Sequence, residues 1–232
     1  MTAPLDLLVF AAHPDDAEIG MGATIAKHTA RGLRVGICDL THAELSSNGD
    51  VATRKAEADQ AAKELGLAVR TNLGLPDRGL ALHHEQIAAI VREIRKFRPR
   101  LVFAPYWVDR HPDHVLAGKM VEEAVFNAKL RKYEAEYAPF TVARTYFYFI
   151  NDIGKADAIV DVSDVYSKKM AALRSFQSQF VLPKESEDMV ATPINQGYLE
   201  RVKARDSLMG QQIAVDYAEG FASRLPILVD LF

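Results

Sequence analysis

The chain is predicted to fold as α/β, a mainly parallel sheet with helices on both faces, and three observations carry that prediction. Short apolar, β-prone runs alternate with segments of crossover-helix length through the first two-thirds of the sequence, the order that builds parallel sheets. The first run, Leu5–Ala12, is apolar apart from Asp6, as expected of a strand buried on both faces. Two of the runs stop abruptly at clusters of His and Asp, and strand carboxyl ends are where an open α/β sheet forms its ligand crevice. The implied architecture is Rossmann-like, with a helical or antiparallel C-terminal extension. Without a repeat, low-complexity tract or linker, residues 1–232 read as a single domain.

After the strand Leu5–Ala12, Ala17–Ala30 reads as a helix that stops at Gly32, and Leu33–Leu40 as a second strand. A polar loop containing Ser46-Ser47-Asn48-Gly49 leads into a helix over Val51–Leu65, which Gly66 ends. Ala68–Leu73 is a third strand, His84–Phe97 a helix halted before Pro99, Leu101–Ala104 a fourth strand, and Asp113–Asn127 a helix. Thr145–Ile150 and Ala158–Val162 read as further strands, candidates for the antiparallel extension. Val165–Phe180 is amphipathic, with Ser163 or Asp164 available as N-cap. Leu182–Pro193 reads as a polar surface loop, one that could gate a site, and Gly197–Val215 returns to helical periodicity.

A chain of 232 residues, 49% hydrophobic and 25% charged, is an ordinary globular mixture. A net charge of −3 gives no electrostatic reason to expect nucleic acid as a partner. The lone Cys38 excludes an internal disulfide and suits a small core residue in a reducing cytoplasm. No apolar stretch is long enough to span a bilayer and no secretory signal is visible. The expectation is a soluble cytoplasmic protein with neither nucleic-acid nor membrane partners.

The chemistry concentrates in two motifs. His13-Pro14-Asp15-Asp16 follows the first strand, and His111-Pro112-Asp113-His114 follows the fourth. Taken singly, each reads as a turn into a helix: Asp15 or Asp16 could merely cap, and Pro112-Asp113 is an ordinary helix start. Taken together they place three of the seven histidines and three acids at two strand ends, a constellation suited to a metal. Two neutral imidazoles and one carboxylate fit Zn²⁺ and leave a position open for water, although Fe²⁺ or another divalent metal fits the same set. Such a site acidifies bound water and polarises a carbonyl. A spare carboxylate can then serve as general base, and a spare histidine as proton donor. Spacing alone leaves open which of Asp15 and Asp16 faces the metal.

Ala12-His13-Pro14-Asp15-Asp16 with Glu18, followed by His111-Pro112-Asp113-His114, resembles the LmbE-like (PIG-L) zinc deacetylases, which remove acetyl groups from N-acetylglucosamine-containing small molecules. Gly36–Thr41, Leu45–Gly49, Leu75–Leu80, Tyr106–His114 and Tyr217–Phe221 look like the branch that deacetylates N-acetylglucosaminyl malate in bacillithiol biosynthesis. Carried onto matching positions, the resemblance makes His13, Asp16 and His114 the zinc ligands and Asp15 the general base. It makes His111 the charged or proton-donating group near the tetrahedral intermediate, with Asp113 orienting it. Arg54 becomes a substrate-binding residue, and Tyr198 a hydroxyl that stabilises the oxyanion. Arg110 suits a malate carboxylate, since arginine binds carboxylates bidentately. The partner implied is a small N-acetylglucosaminide, and the assembly a homo-oligomer, often a hexamer among related enzymes. Alternatives are the same chemistry on a chitooligosaccharide or thiol conjugate, and a noncatalytic sugar- or nucleotide-binding module.

Other features read more plainly. Gly20-Met21-Gly22 lacks the third glycine of a dinucleotide fingerprint, so close helix–strand packing is its expected role. His28, His42, His83 and His84 match no motif and read as surface or capping residues. For Arg54 the plain alternative to substrate binding is a solvated arginine at a helix start. Tyr106 and Trp107 either line the pocket mouth or pack as aromatics.

Overall fold

The computed structural model describes residues 3–133, 136–181 and 190–227. Strands β1 (Leu7–Ala11), β2 (Val35–Thr41), β3 (Val69–Leu75), β4 (Leu101–Pro105), β5 (Arg144–Tyr148), β6 (Ala158–Asp161) and β7 (Ala218–Ala222) form one sheet in the order β3-β2-β1-β4-β5-β7-β6. The first five pair in parallel, and β7 runs antiparallel to both β5 and β6. From β1 the chain builds outward on one side through β2 and β3, then crosses to the other side with β4. The switch point therefore lies between the ends of β1 and β4, where such sheets bind ligands.

Strand β1 shows why both faces must be covered. Leu8, Phe10 and Ala12 bury against α3 (His84–Phe97) and α4 (Pro112–Ala128), in a cluster with Ile90, Ile94, Met120 and Val121. Leu7, Val9 and Ala11 point the other way, in a cluster with Ile25 of α1 (Asp16–Thr29), Ala61 of α2 (Val51–Leu65) and Leu173 of α5 (Tyr166–Ser175). Period-two side chains that are apolar on both faces make the run read as continuous hydrophobic sequence. Cys38 is a buried core residue, as expected.

Local signals set several boundaries. The Asp50 carboxylate accepts from the Thr53 N–H at 2.7 Å and starts α2, which ends at Gly66 with φ +66°. Helix α3 ends where Arg98 turns left-handed ahead of Pro99, and α4 starts with Pro112 in its first turn.

The C-terminal third departs from expectation in three ways. Thr145–Ile150 contributes β5, which is parallel to β4, and the antiparallel pairing instead runs through β7. Ala218-Glu219-Gly220 has little β propensity, so tertiary pairing rather than composition makes β7 a strand. The expected helix over Val165–Phe180 breaks at Phe176 (φ −85°, ψ 63°) into α5 and α6 (Gln177–Phe180). The buried Phe176 ring there lies beneath the Arg54 and Arg70 guanidiniums, 5.6 and 5.9 Å from its centroid. Neither Ser163 nor Asp164 caps α5: a 3-10 turn over Ser163–Val165 precedes it, with the Asp161 carboxylate accepting from Ser163. Helix α7 spans Tyr198–Gln211, while residues 182–189 of the expected loop lie outside the described residues. Among the described residues no helix is long and apolar enough to cross a membrane.

Gly20 packs as the sequence suggests. A Cβ there would lie 2.1 and 2.9 Å from carbons of the Tyr148 ring, which is buried and anchored by its hydroxyl donating to the Phe10 carbonyl at 2.8 Å. Gly20→Ala is therefore expected to lower stability by about 1–3 kcal/mol, read as an earlier denaturant midpoint. An unchanged midpoint would show that the ring yields.

Candidate active site

The β1–β4 adjacency brings the two motifs together. Beyond β1, Asp15 adopts φ +118°, a left-handed conformation that costs a non-glycine residue of order 1–3 kcal/mol. The turn survives because the Arg54 guanidinium grips it: both terminal nitrogens lie 3.2 Å from Asp15 Oδ2, and Nη2 also donates to the Pro14 carbonyl. Asp15 makes no side-chain cap of α1, so the capping reading fails for that residue. Beyond β4, His111 is the N-cap of α4, its Nδ1 accepting the Asp113 backbone N–H at 3.2 Å. That bond places the neutral ring's proton on Nε2. The rings of His13, His111 and His114 cluster with centroids 4.6 to 5.5 Å apart.

Asp16 sits between two of those rings. Its Oδ2 accepts from the His13 N–H at 2.9 Å and lies 3.4 Å from His13 Nδ1, while Oδ1 lies 3.1 Å from His114 Nε2. A tetrahedral ion with bonds of about 2.0–2.1 Å separates its ligand atoms by about 3.3 Å, close to the 3.4 and 3.1 Å at which the two Asp16 oxygens stand from His13 Nδ1 and His114 Nε2. The outward nitrogens of both rings are held as well. His114 Nδ1 lies 3.0 Å from Asp109 Oδ1, and His13 Nε2 lies 3.2 Å from Asp77 Oδ1 and 3.6 Å from Asp113 Oδ2. Carboxylates behind imidazoles fix the tautomer and turn the free nitrogens toward a metal. His111 also offers a nitrogen within 4.8 Å of those of His13 and His114.

The electrostatics agree. Burial pulls the His114 imidazole down, but Asp16 and Asp109 outweigh it and leave it at about 9. Burial opposes ionisation of Asp16, yet His114 and His13 hold its carboxyl well below the usual range. A field that favours protons on imidazoles is one that favours a cation among them. Asp15 differs: burial raises its carboxyl, Arg54 draws it back, Asp16 raises it again, and it stands at about 7. His111 is lowered by burial and by its neighbours His114 and His13.

These groups line a cavity of about 480 Å³ that includes the loop residues Ser46, Ser47 and Asn48. A cleft of about 660 Å³ lies beside it, with Arg110, Asn151 and Tyr198 lining both. The Tyr198 hydroxyl donates to Asn151 Oδ1 at 3.0 Å, and Asn151 donates to Asp109 through its backbone N–H and its amide. A chain thus runs from Tyr198 to His114.

Residues 8–125 match the family model described as PIG-L, GlcNAc-PI de-N-acetylase. The chain belongs to the PIG-L family. A diacetylchitobiose deacetylase of Thermococcus kodakarensis is 34% identical over 183 residues, 72% of this chain and 67% of that protein. A probable N-acetyl-alpha-D-glucosaminyl L-malate deacetylase 2 of Bacillus subtilis is 30% identical over 187 residues, 75% and 82% of the two chains. The crystal structure of a conserved protein from Thermus thermophilus matches with TM-score 0.89 and 41% identity, covering 97% of each chain. This PIG-L protein is an N-deacetylase, a hydrolase of amide bonds.

Of the residues singled out in the PIG-L sequence, His13, Asp15, Asp16, Arg54, Arg110, His111, His114 and Tyr198 line the cavity, with Asp113 buried behind it. Arg54 is not solvated: it is 2% exposed and bound to Asp15. Asp113 meets the His111 ring only through its backbone N–H. Its carboxylate faces His13 and accepts from the Arg78 backbone and guanidinium at 2.8 and 2.9 Å. Tyr106 and Trp107 stack on each other and on Phe149 and Phe147 rather than lining the cavity. Sequence reasoning missed Asp77, Asp109, Asn151 and Arg78. Asp109, two residues before His111, and Asp77, in a Pro-Asp-Arg-Gly turn, carried only proximity or turn chemistry as signals.

If Asp77 holds the His13 ring, Asp77→Asn should weaken zinc binding by about tenfold or more, measured by competition with a chromophoric chelator. Unchanged affinity would leave Asp77 as a loop residue, since it also accepts from the Leu45 N–H at 3.0 Å.

Proposed function

We propose that this protein deacetylates an N-acetylglucosamine-containing small molecule, with His13, Asp16 and His114 holding a zinc ion. The observation that carries this reading is the Asp16 carboxylate lying between two imidazoles with a second, separately held carboxylate beside it. When bound, the ion supplies Lewis-acid polarisation of a carbonyl and acidification of water. Asp15 takes the proton of the attacking water, and Arg54 keeps its carboxylate aimed. His111, with its proton on Nε2, donates toward the tetrahedral intermediate and the departing amine. The Tyr198 hydroxyl exchanges Asn151 for the developing oxyanion.

Within that class we infer N-acetylglucosaminyl malate, the bacillithiol precursor, as substrate. Arg110 is exposed on the wall between cavity and cleft and pairs with no described residue, which leaves its guanidinium available for a malate carboxylate. The Bacillus subtilis relative supports this substrate. The 34% identity to a diacetylchitobiose deacetylase supports the second reading, a chitooligosaccharide.

A kinetic panel of N-acetylglucosaminyl malate, diacetylchitobiose and N-acetylglucosamine separates them: the first reading expects the highest kcat/KM for the malate conjugate. Arg110→Ala should then raise KM for that conjugate alone, and equal kcat/KM across the panel would remove the malate assignment. Asp15→Asn should keep zinc yet lose turnover by about 10²–10⁴-fold, whereas His114→Ala should lose the metal itself. An active Asp15→Asn would require another base. Since the carboxylate form of Asp15 is the working form, activity should rise with pH. Its acid limb should lie at or below about 7, because a bound cation only lowers this carboxyl further.

A further inference from the structure

Helix α1 is two helical pieces rather than one. Met21 leaves helical dihedrals at φ −150° and ψ 24°. In an unbroken helix the Ala23 N–H donates to the Ile19 carbonyl and the Thr24 N–H to that of Gly20. Here Ala23 donates to Glu219 Oε1 at 3.1 Å and Thr24 to Glu219 Oε2 at 2.6 Å. The Ile19 carbonyl accepts from Arg205 Nη2 at 2.6 Å. Those two side chains are joined through buried charges. Arg205 Nε donates to Asp206 Oδ1 at 3.0 Å, and Lys169 Nζ donates to Asp206 Oδ2 at 2.6 Å and to Glu219 Oε1 at 2.7 Å. At the kink, a chain of two cations and two carboxylates links the Ile19 carbonyl to the Ala23 N–H.

The location of this insertion matters more than its energy. Buried ion pairs seldom out-stabilise apolar residues of the same volume, so geometry is what the chain supplies. Ile19 lines the cavity one turn beyond Asp15 and Asp16. Arg205 Nη1 also donates to the Phe149 and Ile150 carbonyls at 3.2 and 2.7 Å. Those residues lead directly into Asn151, which holds Asp109 and Tyr198. A single guanidinium therefore ties the turn bearing both aspartates to the loop that orients His114. Gly22 leaves room for the chain, since a Cβ there would stand 3.2 Å from Lys169 Cγ.

We propose that Glu219 and Arg205 are positioning residues of the active site. Glu219 ends the first piece of α1 by capping the second at Ala23 and Thr24. Arg205 seats the first piece against the β5 loop so that Asp16 meets both imidazoles. The kinetic consequence rests on the deacetylase reading above, whereas the metal-binding consequence does not.

The test compares Glu219→Gln, which keeps the shape but lacks a second acceptor for two N–H groups, with Arg205→Lys, which keeps the charge but cannot reach three carbonyls. Ile94→Val and Ile94→Ala, core truncations among residues packed on the far face of the sheet, give the fall in Tm that lost stability alone brings and should leave kcat within about twofold. Assayed well below their Tm, Glu219→Gln and Arg205→Lys should each lower kcat about tenfold with KM little changed. Each should also weaken zinc about tenfold in chelator competition. A change confined to Tm or to KM overturns the proposal, as does zinc affinity within about twofold of the parent. Should Glu219→Gln fail to fold, Arg205→Lys decides by the same readouts. Should the parent hydrolyse no N-acetylglucosaminide, the functional reading fails, and the zinc measurement still judges this one.

Discussion

Everything in the site depends on one carboxylate lying between two imidazoles. Asp16 receives the His13 backbone N–H and faces His13 Nδ1 with one oxygen, and faces His114 Nε2 with the other. His13 and Asp16 come from the end of β1 and His114 from the end of β4, strands adjacent only because the chain reverses its direction of sheet growth between them. Remove that adjacency and the motifs become two ordinary helix starts on separate parts of a sheet. With it, a short polar segment on each strand end converges on one cavity.

Concentrating acids at strand ends has an electrostatic cost, and the fold offsets it residue by residue. A buried carboxylate that loses its partner destabilises a protein by about 3–5 kcal/mol. Arg54 answers Asp15, and Arg78 answers Asp113. Arg70 reaches Asp39 through two nitrogens and Glu18 Oε1 at 2.5 Å. Burial alone would lower the Arg70 guanidinium, but these two acids raise it above its ordinary value. The Arg54 and Arg70 guanidiniums share the Phe176 ring. That ring stands where the expected single helix divides, so the break in α5–α6 and the neutralisation of the site are parts of one arrangement.

The strand-and-helix alternation of residues 5–128 was legible because each element carries its own local signal: apolar runs, a capping Asp50, a terminating Gly66, a Pro99 beyond α3. Strand β7 was not legible, since Ala218, Glu219 and Gly220 carry no β signal and become a strand only between β5 and β6. The same holds for the second tier of the site. Asp77, Asp109 and Asn151 act through neighbours distant in sequence or on other elements, and nothing in a linear motif marks a carboxylate that stands behind an imidazole. The burial of Arg54 was hidden for the same reason: a helix-start position alone suits solvent, while the packed Asp15 turn buries it.

The sequence by itself determined the α/β class, the two His-Asp motifs and their place at strand ends, because alternation, proline placement and helix punctuation are local properties. It also carried the resemblance that named the chemistry. Tertiary structure decided the setting of each aspartate. Asp16 turns between His13 and His114 while Asp15, one residue earlier, is held at φ +118° by Arg54. Adjacent residues with identical side chains differ only in backbone conformation and in what packs against them, and both are set by contacts from distant parts of the chain.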